Sequence, residues 1–80
     1  MLLVEQIKAA RMLLGWDQAT LAKNSGLGIG TIKRLESKTG TIGGTVASLV
    51  RIQTAFEKAG IEFIGGPGEG PGVRFWKKVR

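Results

Sequence analysis

Cysteine and histidine are both absent from this chain of 80 residues. Without cysteine, disulfide bonds and thiolate metal sites are excluded, and without histidine the chain lacks the commonest metal ligand and the commonest general base. The six Asp and Glu residues are scattered, without a close pair on one helix face that would serve as an acid–base dyad. We therefore predict that the protein is not an enzyme and that it uses no metal or other cofactor.

Long apolar runs are absent as well. No stretch approaches the ~18 consecutive apolar residues that indicate a membrane-spanning helix. The start, Met-Leu-Leu-Val-Glu-Gln, is too short for a signal peptide and reaches the charged Glu5 too early. We therefore expect a small cytoplasmic protein without a membrane partner, built around one compact helical core or stabilised as a dimer.

Acidic residues are scarce relative to basic ones. Twelve Lys and Arg residues against six Asp and Glu residues give a formal net charge of +6. Such an excess favours a polyanionic partner. Charge alone does not separate nucleic acid from an acidic protein or a membrane surface, or from a merely soluble basic domain.

Residues 17–36 are the most informative part of the sequence. Asp17 is a favourable N-cap for a short helix, and Gly26 supplies the positive φ of the sharp turn that follows. A second helix then runs to residue 36, with Ile32 and Leu35 as its buried stripe. Two short helices joined by a glycine turn constitute a helix-turn-helix.

Two further helices flank this pair. Apolar residues at helical spacing predict one helix over residues 3–14 and another over residues 45–59. Trp16 is expected to close over the core, with stacking on a nucleic acid base as the alternative. The apolar stripe expected to complete the core from the last helix consists of Val46, Leu49, Ile52, Phe56 and Ala59.

After Gly60 the periodicity changes from helical to extended. Two β-favouring runs, residues 61–64 and 73–76, flank a loop rich in glycine and proline, which predicts a hairpin. Because an isolated two-stranded ribbon is marginal in water, the strands should either pack on the helices or pair with the same strands of a second chain. We favour the second arrangement, a homodimer. Its interface would contain Phe63, Ile64, Val73 and Phe75.

The chain therefore divides into two parts. Residues 1–60 are expected to form the helical domain, and residues 61–80 a β extension that ends in the basic tail Lys77-Lys78-Val79-Arg80. For this tail we expect solvent exposure, with contact to phosphate as the alternative.

Several spaced residues carry a resemblance to a known family: Gly15-Trp16-Asp17-Gln18, Leu21-Ala22, Gly26-Leu27, Thr31-Ile32 and Arg34-Leu35-Glu36. Over residues 3–60 the chain resembles the Xre/Cro-type, phage-repressor-like helix-turn-helix family. The resemblance implies an all-α, four- to five-helix DNA-binding domain, here followed by a short C-terminal β-hairpin. It implies a prokaryotic or phage-type transcriptional regulator that binds double-stranded DNA sequence-specifically as a homodimer.

The resemblance also implies roles for individual residues. Gln18 is expected to bind a backbone phosphate, and Arg11 and Glu36 to form an ion pair that ties the first helix to the end of the recognition helix. Arg34 is the best candidate for reading bases, because its guanidinium can donate to guanine. The full set of expected DNA contacts is Gln18, Gly28, Ile29, Gly30, Thr31, Lys33, Arg34 and Lys38.

The start of the recognition helix departs from the family, whose members often carry polar, base-contacting side chains there. Ile29 offers only an apolar contact, such as to a thymine methyl group. Gly28 and Gly30 each weaken the helix by up to about 1 kcal/mol relative to alanine. Either the missing side chains let the backbone approach the groove, or the fold simply tolerates a weak first turn.

Two other functions stay open. In an antitoxin-like interaction module, the C-terminal strands or the tail would grip a partner protein by strand addition. In a nonspecific architectural protein, phosphate contacts alone would bind DNA, as the poor base-reading chemistry of Gly28, Ile29 and Gly30 suggests.

Overall fold

The computed structural model of the protein describes residues 2–65 and 68–76. These residues form four helices and a two-stranded antiparallel sheet, so the fold is helix-rich rather than strictly all-α. The predicted basic tail, residues 77–80, lies outside the described residues. In chain order the elements are α1 (Val4–Leu14), α2 (Gln18–Ser25), α3 (Ile29–Glu36), α4 (Val46–Lys58), β1 (Ile61–Ile64) and β2 (Gly72–Phe75).

Local sequence determines most helix ends. α1 and α2 each end at a left-handed glycine, Gly15 with φ 69° and Gly26 with φ 72°. At the start of α2, Asp17 Oδ1 accepts the Thr20 N–H at 2.7 Å, and this backbone hydrogen bond lowers the pKa of Asp17. The predicted bounds of α1, α2 and α4 agree with the structure to within one residue at each end.

The core draws side chains from all four helices and from β1. Trp16 belongs to it, as expected: its ring stacks on Phe56 at a centroid distance of 5.5 Å. Phe56 also meets Phe63 edge to face at 5.8 Å. The buried members of the cluster are Val4, Ile7, Ala10, Leu21, Ala22, Ile32, Ile42, Ile52, Phe56 and Ile61.

Val46 was predicted to lie in the core, but it is 77% exposed. The predicted stripe places two successive spacings of three between Val46 and Ile52. Each spacing of three falls about 60° short of a full turn, so together they rotate Val46 well away from the buried face. Ile52, Ala55 and Phe56 define that face instead.

The strands pair with each other and pack on the helices of their own chain. The register joins Ile61 to Phe75 and Ile64 to Gly72. Ile61 is fully buried, and Phe63, Val73 and Phe75 pack against the core. Three of the four side chains expected at a dimer interface therefore contact the interior of the same protomer, which is the arrangement that we did not favour.

A buried glutamine joins α1 to this hairpin. Gln6 is 3% exposed, and its Oε1 accepts the Leu3 N–H at 2.8 Å. Its Nε2 donates to the carbonyl oxygens of Gly72 at 3.0 Å and Ile64 at 3.4 Å. The sequence analysis did not single out Gln6, although glutamine at the third position of a helix is half of a capping box.

We predict that Gln6→Ala destabilises the fold by about 1–3 kcal/mol, because it leaves the Leu3 N–H without its acceptor and removes the hydrogen bonds that join α1 to the hairpin. Urea denaturation of both proteins measures the change. Gln53→Ala is the matched control: Gln53 donates only to Glu57 one turn later, in an exposed pair, and its loss should change stability by less than about 0.5 kcal/mol. Equal effects of the two substitutions would contradict the role of Gln6.

Candidate nucleic-acid interface

α2 and α3 form the helix-turn-helix. Leu27 in the turn packs against the core, and Ile32 in the middle of α3 is fully buried. These two anchors fix which side of α3 faces inward. On its outer side lie Gly28, Ile29, Gly30, Lys33 and Arg34, all of them exposed, whereas Thr31 is half-buried.

Arg11 and Glu36, which the resemblance implies are paired, form a bidentate ion pair. Arg11 Nε lies 2.8 Å from Glu36 Oε2, and Arg11 Nη2 lies 2.6 Å from Oε1. A third donor, Arg11 Nη1, reaches the Trp16 carbonyl at 3.1 Å. Glu36 is only 4% exposed, and its hydrogen bond raises the pKa of Arg11. The pair joins α1 to the last residue of α3.

Gln18 completes this cluster. Its Nε2 donates to Glu36 Oε1 at 3.1 Å, so a residue at the start of α2 binds the same carboxylate as Arg11. The side-chain amide nitrogen of Gln18 carries two hydrogens. The second hydrogen could form a hydrogen bond to a phosphate oxygen. The expected phosphate contact of Gln18 stays a prediction.

An open depression of about 270 Å³ separates the end of α3 from the start of α4. Arg34 and Lys38 supply positive charge on one wall, and Thr45, the N-cap of α4, lies on the other. Helix N-termini attract anions because their first N–H groups are free and the helix dipole is positive there. The depression thus offers a setting that suits a phosphate beside Lys38, one of the expected DNA contacts.

The positive charges of α3 and of the loop after it are not neutralised by ion pairs with other residues that the structure describes. The ion pairs found among residues 2–65 and 68–76 are Arg11–Glu36 and Arg74–Glu62. Lys33, Arg34 and Lys38 form none with these residues. The outer side of α3 and the loop after it therefore present uncompensated charge to a polyanion.

In the part of the chain that the structure describes, no cluster of three carboxylates could hold a metal ion. Nor is any described helix long and apolar enough to cross a membrane.

Comparison with known proteins agrees with the geometry. A family model described as helix-turn-helix matches residues 7–50, which is more than half of the chain. The matched range begins in α1 and ends in α4, so it contains the Arg11–Glu36 pair and the whole of α2 and α3. No curated protein and no solved structure matches significantly.

We predict that Glu36→Ala destabilises the protein by about 3 kcal/mol, because it leaves the guanidinium of Arg11 partly buried without its counterion. Replacing both partners, as Arg11→Met with Glu36→Leu, should recover most of this loss, since no orphaned charge remains. Urea denaturation of the single and double variants provides the comparison. A double variant no more stable than Glu36→Ala would show that the loss has another origin.

Proposed function

This chain belongs to the Xre/Cro-like helix-turn-helix family of DNA-binding transcriptional regulators, and we propose that it binds double-stranded DNA sequence-specifically, as a regulator of prokaryotic or phage type. One observation carries the proposal. The outer side of α3 holds exposed positive charge that is unpaired among the described residues, at an angle fixed by the partly buried cluster of Arg11, Gln18 and Glu36.

In the proposed complex, α3 enters the major groove. Arg34 and Lys33 donate to base edges, guanine in particular, and Thr31 lies beside them within reach of phosphate or base. Phosphates bind at two places: at the start of α2, where Gln18 has a free N–H, and at the depression that contains Lys38. The phosphate contacts position α3, and the base contacts select the sequence.

We further propose that two protomers bind a palindrome. Half-sites read by paired recognition helices lie about 34 Å apart, one turn of DNA. The protomer measures 31 × 29 × 19 Å along its principal axes. Two copies side by side therefore match the spacing of successive major grooves on one face of the duplex.

The hairpin offers a means of dimerisation that leaves its side chains in the core. The Trp76 N–H donates to the Gly60 carbonyl at 2.8 Å, and with the observed register this directs the backbone groups of Phe63, which is half-buried, away from β2. Strand addition at this edge uses backbone hydrogen bonds. We therefore propose first that two protomers form a homodimer by pairing along the outer edge of β1.

The same edge favours a second function, capture of a partner protein as in antitoxin-like modules. Removing the strands does not test it cleanly, because a cut after Gly60 deletes Ile61, which is fully buried. Surface substitutions are required instead. Nonspecific architectural binding, the remaining alternative, predicts DNA affinity without sequence preference.

We predict that selection from a randomised duplex library enriches an inverted repeat with half-sites about one turn apart. Arg34→Ala should abolish the preference at one position of each half-site, at an expected loss of about 1–3 kcal/mol for that base pair. Sequencing of the bound fraction and titration of the enriched duplex measure the two effects.

Two lysine substitutions distinguish a phosphate contact from a general effect of net charge on DNA binding. Lys38→Ala should weaken all sequences about equally and reduce the slope of log affinity against log salt by about one. Lys58→Ala removes the same charge from the far end of α4 and should leave the slope nearly unchanged. Strong binding at low salt with no enriched sequence would refute specific readout, and no binding even at low salt would refute the DNA function.

We predict that Ile64→Lys raises the dissociation constant of the homodimer at least tenfold, because it places a charge at the end of the pairing strand. Analytical ultracentrifugation of the full chain measures the shift. Val46→Lys, on the exposed face of α4, is the matched variant. Dissociation by Val46→Lys but not by Ile64→Lys would assign the interface to α4 instead of the hairpin.

A further inference from the structure

The first turn of α3 combines two glycines with one exposed apolar side chain. Gly28 is the N-cap, Gly30 is the second helical residue, and Ile29 between them is 42% exposed. A Cβ atom at either glycine would meet nothing within 4 Å. Gly28 has an ordinary φ of −71°, and Gly30 does not adopt a positive φ. Neither packing nor backbone conformation therefore requires glycine at these positions, and at Gly30, inside the helix, glycine weakens it.

This bare surface lies where α3 meets DNA in the proposed complex. Gly30 precedes Lys33 and Arg34 by three and four residues, so the three share one face of the helix. Ile32, fully buried, faces the other way. Without a Cβ at Gly30 the backbone can approach the base edges closely, and the side chain that reaches them from the first turn is Ile29.

An isoleucine side chain has no hydrogen-bonding atom, which restricts what it can read. In the major groove, thymine carries a methyl group at C5, while the other unmodified bases present hydrogen-bond donors and acceptors without one. We propose that Ile29 reads the C5 methyl group of a thymine in each half-site, and that Gly28 and Gly30 provide the close approach that this short contact needs. The inference rests on the proposed function, since it requires α3 in the major groove.

The test uses the duplex recovered by library selection. Each thymine is replaced in turn by deoxyuridine, which removes only the methyl group, and affinity is measured by fluorescence anisotropy at constant salt. We expect about fourfold weaker binding per half-site at one thymine position, the effect of one buried methyl group. Ile29→Ala should bind the thymine and uracil duplexes equally well.

Val46→Ala is the matched control, because Val46 is an exposed apolar residue on a different helix. It should keep the wild-type ratio between thymine and uracil duplexes. Comparing the ratio in wild type and Ile29→Ala also removes any effect of the methyl group on the shape of the DNA itself, since both proteins meet the same duplexes.

The same methyl group occurs on 5-methylcytosine, so a second pair of duplexes distinguishes the two sources. The critical T·A pair is replaced by C·G with and without the C5 methyl group. Tighter binding of the methylated form by wild type, absent in Ile29→Ala, assigns recognition to the methyl group on either base. A methyl effect confined to the thymine duplex assigns it to thymine alone.

The substitution Gly30→Ala distinguishes an effect on the approach of α3 to DNA from an effect on the stability of the fold. Its Cβ would enter open space, and alanine favours the helix, so the thermal midpoint should rise by a few degrees. DNA affinity should nevertheless fall severalfold, because the new methyl group holds the helix away from the bases.

Three results would overturn the inference while leaving the proposed function intact: selective binding without any uracil effect, the same effect in Ile29→Ala, or unchanged affinity in Gly30→Ala. Loss of selective DNA binding by the wild-type protein itself would instead refute the proposed function, and the inference with it.

Discussion

One buried carboxylate holds the helix-turn-helix together. Glu36, at the end of α3, accepts two hydrogen bonds from Arg11 on α1 and one from Gln18 at the start of α2. Burying such a pair contributes little net stability, because desolvation offsets much of the attraction. Its effect is geometric: three helices share one anchor, and a bidentate contact tolerates little rotation. The direction in which α3 presents Lys33 and Arg34 depends on this anchor. The orientation of these exposed residues is therefore set by an interaction below the surface.

The hairpin is the second constraint, and it acts on the same core from the opposite end of the chain. Ile61 is buried among the helices, and Trp76 Nε1 donates to the Glu57 carbonyl at 3.0 Å. Small domains bury a modest share of their surface, so two strands that supply further core residues matter more here than in a large protein. Gln6 then couples the end of the hairpin to α1. The strands therefore contribute to the same hydrophobic core as the helices.

The sequence predicted those features of the structure that neighbouring residues determine, and it missed those that depend on residues far away in the chain. The end of α2 at Gly26 was predictable because a glycine cap acts within a single turn. The turn and the buried face of α3 were predictable for the same reason. Gln6 was not, because its acceptors lie 58 and 66 residues away, and nothing local indicates which carbonyl groups will face it. Val46 was misassigned because spacings of three fit a helix stripe only when spacings of four compensate the drift. Which face of α4 is buried depended on the whole fold.

Local rules also fail at the start of α3, and there the failure is informative. In α1 and α2, caps, apolar spacing and packing favour the same structure, as expected of a sequence that specifies one fold. At Gly30 propensity opposes the helix, and the open space around this position shows that the core gains nothing in exchange. A larger residue there would strengthen the helix. Conflicts of this kind are typical of functional surfaces, where stability is lost for the sake of contact. The first turn of α3 is thus better explained by a binding function than by the packing of the protein itself.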